Sequence, residues 1–123
     1  MTGHELVERA EAAAANAYAP YSKYHVGASL LTVDGRVFDG VNVENAAYPL
    51  GVCAEKSAIV VAANAGVRPG DIEAIGITAS PCGGCRQWLH EWRIGRVTFR
   101  RADGTIGEYR ADELLPDTWD LPE

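Results

Sequence analysis

The sequence is poor in several features that would point to a membrane or secreted protein. It has three cysteines, one methionine and no long apolar run in its 123 residues. Its longest strongly apolar stretch, residues 58–63, is far too short to cross a bilayer. The N-terminus lacks the basic and then apolar order of a signal peptide. We therefore expect no membrane association and a cytoplasmic location.

Basic residues are also scarce, which restricts the possible partners. The chain has 11 lysines and arginines against 17 aspartates and glutamates, and its formal net charge is −6. Only Arg93, Arg96, Arg100 and Arg101 are loosely grouped. A nucleic-acid-binding face needs a concentrated basic surface. We therefore expect no nucleic-acid partner and a small, uncharged or weakly charged ligand.

The composition favours a folded chain with a single core. Apolar residues make up 47% of the sequence, and no long block of like charge interrupts them. Such a composition argues against disorder, and a chain of this length supports one hydrophobic core. We predict a single domain over residues 1–123.

The order of the predicted elements indicates an α/β fold. Thr2 and Glu5 form a possible capping box before a helix over residues 2–18, whose apolar stripe includes Leu6, Ala10, Ala13, Ala14 and Ala17. Asp34-Gly35 and Asp103-Gly104 predict hairpins. Strands are expected at 26–33, 36–43, 71–79, 97–100 and 105–110, and further helices at 54–66, from Cys82 through Trp92, and at 112–115.

This order predicts a three-layer sandwich, in which a mixed five-stranded sheet has helices on both faces. The strand at 72–79 should lie parallel to its neighbour across a helical crossover. The helix that follows Cys53 is largely apolar, and we expect it to be buried.

All the cysteines occur in two short motifs, Cys53-Ala54-Glu55 and Pro81-Cys82-Gly83-Gly84-Cys85. In a reducing compartment, three thiols at this spacing favour a metal site over a disulfide. A redox pair of Cys82 and Cys85 is the alternative. If both motifs begin helices, the positive ends of the helix dipoles stabilise the thiolates.

The same motifs indicate a catalytic rather than a structural zinc. A structural site needs a fourth protein ligand, but His4, His25 and His90 fit poorly, and we predict all three at the surface. The fourth position is then open for water. Glu55, one turn into its helix, can carry a proton from that water, which is the role of the glutamate in zinc deaminases.

The two cysteine motifs and several others occur in an order that resembles that of the small homotetrameric zinc-dependent cytidine deaminases. They are Tyr18-Ala19-Pro20-Tyr21-Ser22-Lys23-Tyr24, Val26-Gly27-Ala28, Asn42-Val43-Glu44-Asn45-Ala46-Ala47-Tyr48, the two cysteine motifs, Arg86-Gln87 and Glu113-Leu114-Leu115-Pro116. The resemblance implies hydrolysis of cytidine and 2′-deoxycytidine to uridine and 2′-deoxyuridine plus ammonia, in pyrimidine salvage. Zinc-activated hydroxide would attack the base, with Glu55 as the proton shuttle.

The resemblance also implies specific roles for other residues. One zinc ion per subunit would be bound by Cys53, Cys82 and Cys85. The remaining residues would bind substrate: Asn42 and Glu44 at the ribose hydroxyls, the Ala54 backbone at the pyrimidine, Tyr24 stacked on the base, and Tyr48 at a neighbouring subunit's site. From their chemistry alone, Asn42 and Glu44 could equally be polar residues at a strand end.

Three positions depart from the family pattern. Tyr24 stands where phenylalanine is usual, Lys56 stands where arginine is usual, and Trp119 replaces a phenylalanine near the C-terminus. Lys56 or Arg86 would offset the negative charge of the thiolates, although either fits equally well as a helix-surface charge. Trp119 either lines a neighbour's site or packs on its own domain.

Other functions remain open on the sequence alone. Within the deaminases, a modified cytosine nucleoside such as blasticidin S is an alternative substrate, although Glu44 argues against it. A polynucleotide substrate disagrees with the negative charge and with the direct hairpin at residues 100–105. From a different class, the chain could be a zinc-stabilised binding module without catalysis.

Overall fold

The computed structural model describes residues 1–120. In chain order, the elements are α1 (Gly3–Ala13), β1 (Gly27–Thr32), β2 (Val37–Val41), α2 (Ala54–Asn64), β3 (Ile72–Ile77), α3 (Gly83–Glu91), β4 (Arg96–Arg100), β5 (Ile106–Tyr109) and α4 (Ala111–Leu114). Short 3₁₀ turns occur at Ala14–Asn16 and Tyr48–Leu50. Residues 121–123, the end of the domain predicted over 1–123, lie outside the described part.

The sheet has five strands in the order β2-β1-β3-β4-β5. β1 is antiparallel to both β2 and β3, and β4 is antiparallel to β5. β3 and β4 run parallel, with α3 between them in the chain. The predicted mixed sheet and its parallel crossover are therefore confirmed.

Alternate residues of the strands pack against helices on opposite faces, because successive strand side chains point to opposite sides. On one face, Leu30 and Ile75 join a buried cluster with Ile59 of α2 and Leu89 of α3. On the other face, Leu31 and Ala74 pack with Leu6 of α1. The three-layer sandwich is thus confirmed, and both cysteine-bearing helices lie on the same side of the sheet.

Two strand glycines allow the helices to lie close against the sheet. A Cβ on Gly40 of β2 would overlap the backbone nitrogen of Ala58 and lie 2.6 Å from the Ala54 carbonyl oxygen. A Cβ on Gly76 of β3 would lie 2.5 Å from the Leu6 carbonyl carbon. Because backbone cannot yield as a flexible side chain can, Gly40 determines how closely the start of α2 approaches β2.

The first helix differs from the prediction. The capping box is confirmed, since the Thr2 hydroxyl accepts the Glu5 amide at 3.1 Å and Glu5 accepts the Thr2 amide at 3.0 Å. However, α1 ends at Ala13, and of the alanines that follow, Ala14 and Ala17 are half-buried and Ala15 is exposed. Beyond them, the Tyr18 amide donates to the Asn42 carbonyl at 3.0 Å. This extended pairing with the segment after β2 replaces the last predicted helical turn.

The expected burial of α2 holds for one face only. Ala54, Ala58, Ile59 and Ala62 are buried, whereas Val60 and Val61 are 55% and 47% exposed. The apolar sequence of α2 therefore exceeds what the sheet covers. Within residues 1–120, no helix is both long enough and apolar enough to cross a membrane.

Candidate metal centre and binding pocket

A pocket of about 340 Å³ opens beside the N-termini of α2 and α3. At one end, which we call the metal end, lie Cys53, Cys82, Cys85 and Glu55. At the other, the turn end, lie Ser22, Tyr24, Asn42 and Glu44. All of these residues line the pocket except Cys85, which is buried behind it. The volume lies within the range of small-molecule sites.

The cysteines are fixed by the starts of the two helices. Cys53 is the N-cap residue of α2, Cys82 is the N-cap residue of α3, and Cys85 is in the first turn of α3. Val43 and Val52 exchange backbone hydrogen bonds of 2.9 and 2.8 Å, which hold Cys53 beside the end of β2. As a result, the three sulfur atoms lie within 4.8 Å of one another.

The thiols interact strongly. Hydrogen bonds from Cys85 and then Cys82, with the positive charge of Lys56, lower the pKa of Cys53 to about 6. The hydrogen bond to Cys53, together with burial, raises the pKa of Cys85 well above its usual value. The three thiols therefore form one interacting donor set.

A soft divalent cation fits this donor set, because it would allow all three sulfurs to ionise. Three thiolates suit zinc, and a site with three protein ligands is typical of catalytic zinc. Within residues 1–120, no histidine, aspartate or glutamate joins the sulfur cluster. The predicted ligands Cys53, Cys82 and Cys85 are therefore brought together, with no fourth protein ligand among the described residues.

Glu55 lies at the same end of the pocket. It is only 3% exposed, although it lines the cavity, and burial raises the pKa of its carboxyl group. Its backbone belongs to the first turn of α2, two residues after Cys53. The metal end therefore combines three sulfur ligands with a carboxyl group that is shielded from bulk water.

The two cations predicted near the cluster have different surroundings. The Lys56 charge acts on Cys53, whose pKa it lowers. The Arg86 guanidinium instead donates to the carbonyl oxygens of Pro81 at 2.9 Å and Leu114 at 3.2 Å, and to the Ser80 hydroxyl at 3.4 Å. Arg86 thus ties the cysteine turn to α4. Offsetting of the thiolate charge by Lys56 or Arg86 remains a prediction.

The polar residues of the turn end already make hydrogen bonds within the chain. Glu44 Oε1 accepts the backbone amides of Tyr21 at 3.0 Å and Ser22 at 3.1 Å, and Oε2 accepts the Ser22 hydroxyl at 2.5 Å. These bonds, from the Ser22 hydroxyl first, lower the pKa of the Glu44 carboxyl group. Asn42 accepts the Val26 amide and donates to the Tyr24 carbonyl, both at 2.8 Å.

The predicted aromatic residues are largely exposed. Tyr24 is 62% exposed and Tyr48 is 82% exposed, and both line the pocket together with buried Ala54. Trp119 is 72% exposed and does not line the pocket. The alternative that Trp119 packs on its own domain therefore has no support within residues 1–120.

Sequence reasoning missed several residues that line the pocket. They are Ser22, Val26, Val43, Asn45, Gly51, Val52, Ala79 and Ser80. Ser22 belongs to the motif over residues 18–24, so the motif itself was the available signal. Val26, Val43 and Asn45 likewise belong to motifs quoted for the family, whereas hydrophobicity at Val52 is equally typical of a core strand and could not have identified it.

The histidines lie away from the cluster. His4 and His25 are exposed, as predicted. His90 is partly buried, and its Nε2 lies 2.9 Å from Asp120 Oδ1 and 3.1 Å from the Thr118 hydroxyl. It therefore connects α3 to the C-terminal segment, rather than lying free on the surface.

Comparison with known proteins identifies close relatives. Residues 1–101 match the family model of the cytidine and deoxycytidylate deaminase zinc-binding region. A cytidine deaminase of Halalkalibacterium halodurans is 41% identical over 94% of this chain and 92% of its own length. That of Sporosarcina psychrophila is 39% identical over 94% and 90%. The crystal structure of a cytidine deaminase from Burkholderia pseudomallei has 44% identity and a TM-score of 0.90, over 97% of this chain and all of that one.

Proposed function

The chain belongs to the cytidine and deoxycytidylate deaminase zinc-binding family, and we propose that it hydrolyses cytidine and 2′-deoxycytidine. Water replaces the 4-amino group, and the products are uridine or 2′-deoxyuridine and ammonia. The observation that carries this proposal is the position of Glu55, a buried carboxyl group beside three sulfur ligands in one pocket.

The residues of the metal end account for the chemistry. Cys53, Cys82 and Cys85 would hold zinc, which would act as a Lewis acid and make water a competent nucleophile at neutral pH. Glu55 takes a proton from the attacking water and delivers it to the ring nitrogen N3 of the pyrimidine. It then carries the second water proton to the departing amine, so that ammonia leaves. Its burial keeps bulk water away from these transfers.

The turn end would bind the rest of the nucleoside. A carboxylate has about four acceptor sites, and three on Glu44 are used within the chain, so one remains for a sugar hydroxyl. Asn42 retains one amide hydrogen for the same sugar. Tyr24 stacks on the base, and the Ala54 backbone contacts the pyrimidine.

The charge of the pocket favours a nucleoside over its 5′-monophosphate. Among the described residues that line the cavity there is no lysine or arginine, whereas Glu44 and Glu55 both line it. A phosphate would enter without a cationic partner and would be repelled by the Glu44 carboxylate. The substrate is therefore the unphosphorylated nucleoside, although the family model also covers deoxycytidylate deaminases.

A substrate panel tests the proposal. The zinc-loaded protein is incubated with cytidine, deoxycytidine, cytosine, cytidine monophosphate and blasticidin S, and ammonia release is followed. Cytidine and deoxycytidine should react, whereas the free base and the monophosphate should not. Turnover of blasticidin S alone would favour the modified-nucleoside alternative, and no turnover of any compound would favour a non-catalytic zinc module.

We further propose a homotetramer in which subunits share active sites. Tyr48 and Trp119 are exposed aromatic residues, and Val60 and Val61 form an uncovered apolar strip on α2. Burying these side chains against other copies would be favourable. Trp119 would then reach a neighbour's pocket, and Tyr48, which lines the pocket of its own chain and is largely exposed, would extend from there toward the neighbour. Sedimentation should give a tetramer, and a fully active monomer would contradict this proposal.

Two broader expectations complete the proposal. The unpaired cysteines suit a reducing compartment, which supports a cytoplasmic location. We expect the proposed deamination to serve pyrimidine salvage. Within residues 1–120, the strands join in one five-stranded sheet beside the pocket, which supports a single catalytic domain over residues 1–123.

A further inference from the structure

The turn at residues 21–24 is held by a side chain from another part of the chain. Glu44 accepts the amides of Tyr21 and Ser22 and the Ser22 hydroxyl. The same Ser22 hydroxyl oxygen accepts the Tyr24 amide at 3.0 Å. Among residues 1–120, Ser22 is therefore the side chain whose hydrogen bonds connect the Glu44 carboxylate to Tyr24.

Packing does little to place the Tyr24 ring, because 62% of this residue is exposed. Its backbone is fixed at both ends instead. Its amide donates to Ser22 and its carbonyl accepts the Asn42 side chain at 2.8 Å. The direction of the ring at the pocket mouth thus depends on hydrogen bonds more than on hydrophobic contacts.

The turn also adopts a backbone conformation that needs support. Lys23 has a φ of 62°, in the left-handed region that residues with a side chain rarely adopt. Such a conformation persists only where the surrounding structure holds it. The hydrogen bonds on either side of Lys23, from Ser22 to Glu44 and from Tyr24 to Ser22, supply that support.

We propose that Ser22 is a positioning residue for substrate binding. Its hydroxyl donates to Glu44 and accepts the Tyr24 amide, and so holds the stacking ring at the pocket mouth. The proposal rests on the proposed nucleoside deaminase function, because Tyr24 is assigned there to stack on the base. The hydrogen bonds of Ser22 go to Glu44 and Tyr24, at the turn end of the pocket, so its effect should fall on binding rather than on the chemical step.

The test compares three variants of the full-length, zinc-loaded protein. Ser22→Ala removes the hydroxyl, and Ser22→Thr retains it. The control Thr105→Ala removes another exposed hydroxyl that donates to a nearby carboxylate, Asp103 at 2.7 Å, in a hairpin outside the pocket. The measurements are kcat and KM for cytidine, and the rate at which trypsin cleaves after Lys23 in the native protein, followed by mass spectrometry.

Ser22→Ala should raise KM about tenfold, as expected for loss of a hydrogen bond to a charged group. Its kcat should stay within about twofold, because the lost interaction serves binding and not the transition state alone. Cleavage after Lys23 should accelerate, since a freed turn opens more often. Ser22→Thr should restore both properties, and Thr105→Ala should change neither.

A parental KM and cleavage rate in Ser22→Ala would overturn the proposal, as would a fall in kcat at unchanged KM. The same defect in Ser22→Thr would also overturn it, because the hydroxyl would then not be the important group. Failure of the proposed function looks different: the parent protein would not turn over cytidine. The cleavage rate after Lys23 would still report whether Ser22 holds the turn.

Discussion

The two ends of the pocket are built in different ways. At the metal end, Cys85 and Glu55 are almost completely buried, and the ligands are fixed by the starts of two helices. At the turn end, Tyr24 is mostly exposed and is held by hydrogen bonds from Ser22 and Asn42. The metal end assembles its ligand set within one chain, whereas the turn end leaves aromatic surface uncovered.

This difference suggests that the metal end carries out the chemical step and the turn end binds the nucleoside. Chemistry needs side chains held closely in a shielded setting, which burial and helix starts provide. Binding and release of a nucleoside need a mouth that can open, which a hydrogen-bonded turn permits. Changes at the metal end should therefore act on kcat or on the metal, and changes at the turn end should act on KM.

The largest effect should come from Glu55→Gln. The amide cannot carry the proton, so we expect kcat for cytidine to fall by about a thousandfold or more. The sulfur ligands are unchanged, so the zinc content measured by atomic absorption should stay that of the parent. As a matched change at the other end, Glu44→Gln should act mainly on KM. Unchanged turnover in Glu55→Gln would refute the shuttle role.

Metal removal should loosen the metal end of the pocket and leave the turn end unchanged. Dialysis against a chelator leaves three sulfurs within 4.8 Å of one another and no metal ion to hold them together. We expect a lower melting temperature, since metal binding stabilises the folded state, and amide exchange at residues 82–86 accelerated by about tenfold or more. The amides of Tyr21 and Ser22, which donate to Glu44, should exchange as before. Equal acceleration at both ends would contradict their independence.

Substitution of Tyr24 measures the contribution of stacking at the turn end. Tyr24→Ala removes the ring, and we expect KM for cytidine to rise by about tenfold to a hundredfold, as for loss of base stacking. Tyr24→Phe keeps the ring and should stay within about twofold of the parent in KM. Steady-state kinetics provide both values. A fall in kcat alone would place Tyr24 with the chemical step instead.

The smallest effect is expected from Arg86→Lys. A lysine cannot span the carbonyls of Pro81 and Leu114 together, so the variant should lose about 1 kcal/mol of unfolding free energy. Zinc should also dissociate faster, as measured with a chromogenic chelator. Arg110→Lys, which changes an exposed ion pair with Asp112, is the control and should match the parent. If Arg86→Lys keeps the stability and the zinc-release rate of the parent, the hydrogen bonds from Arg86 to Pro81 and Leu114 are not needed to hold the cysteine turn.

Much of the fold could be predicted from local patterns. The hairpin at Asp34-Gly35, the capping box of α1 and the start of α2 after Cys53 depend on neighbouring residues, and all are present. The end of α1 could not be predicted, because it depends on pairing of Tyr18 with the segment after β2. Likewise, the exposure of Val60 and Val61 depends on how much of α2 the sheet covers, which the apolar sequence does not state.

The metal end was predictable for a similar reason. Cys82 and Cys85 share one helix start, so their spacing alone brings them together, and the chemistry of thiols and a carboxylate indicates zinc. The additional role of Asn42 and Glu44 was not predictable, because an amide and a carboxylate after a strand are compatible with many partners. Their bonds to residues 21–26 join positions that are far apart in the chain.

The sequence by itself therefore determined the chemical identity of the site: its sulfur ligands, its carboxyl group and the helix starts that present them. Only the tertiary structure decided that Cys53 lies beside Cys82 and Cys85. It also decided that the Glu44 carboxylate accepts three hydrogen bonds from Tyr21 and Ser22. The physical reason is that helix starts depend on local backbone groups. The meeting of distant segments depends instead on strand order, and on the close approach of α2 to β2 at Gly40.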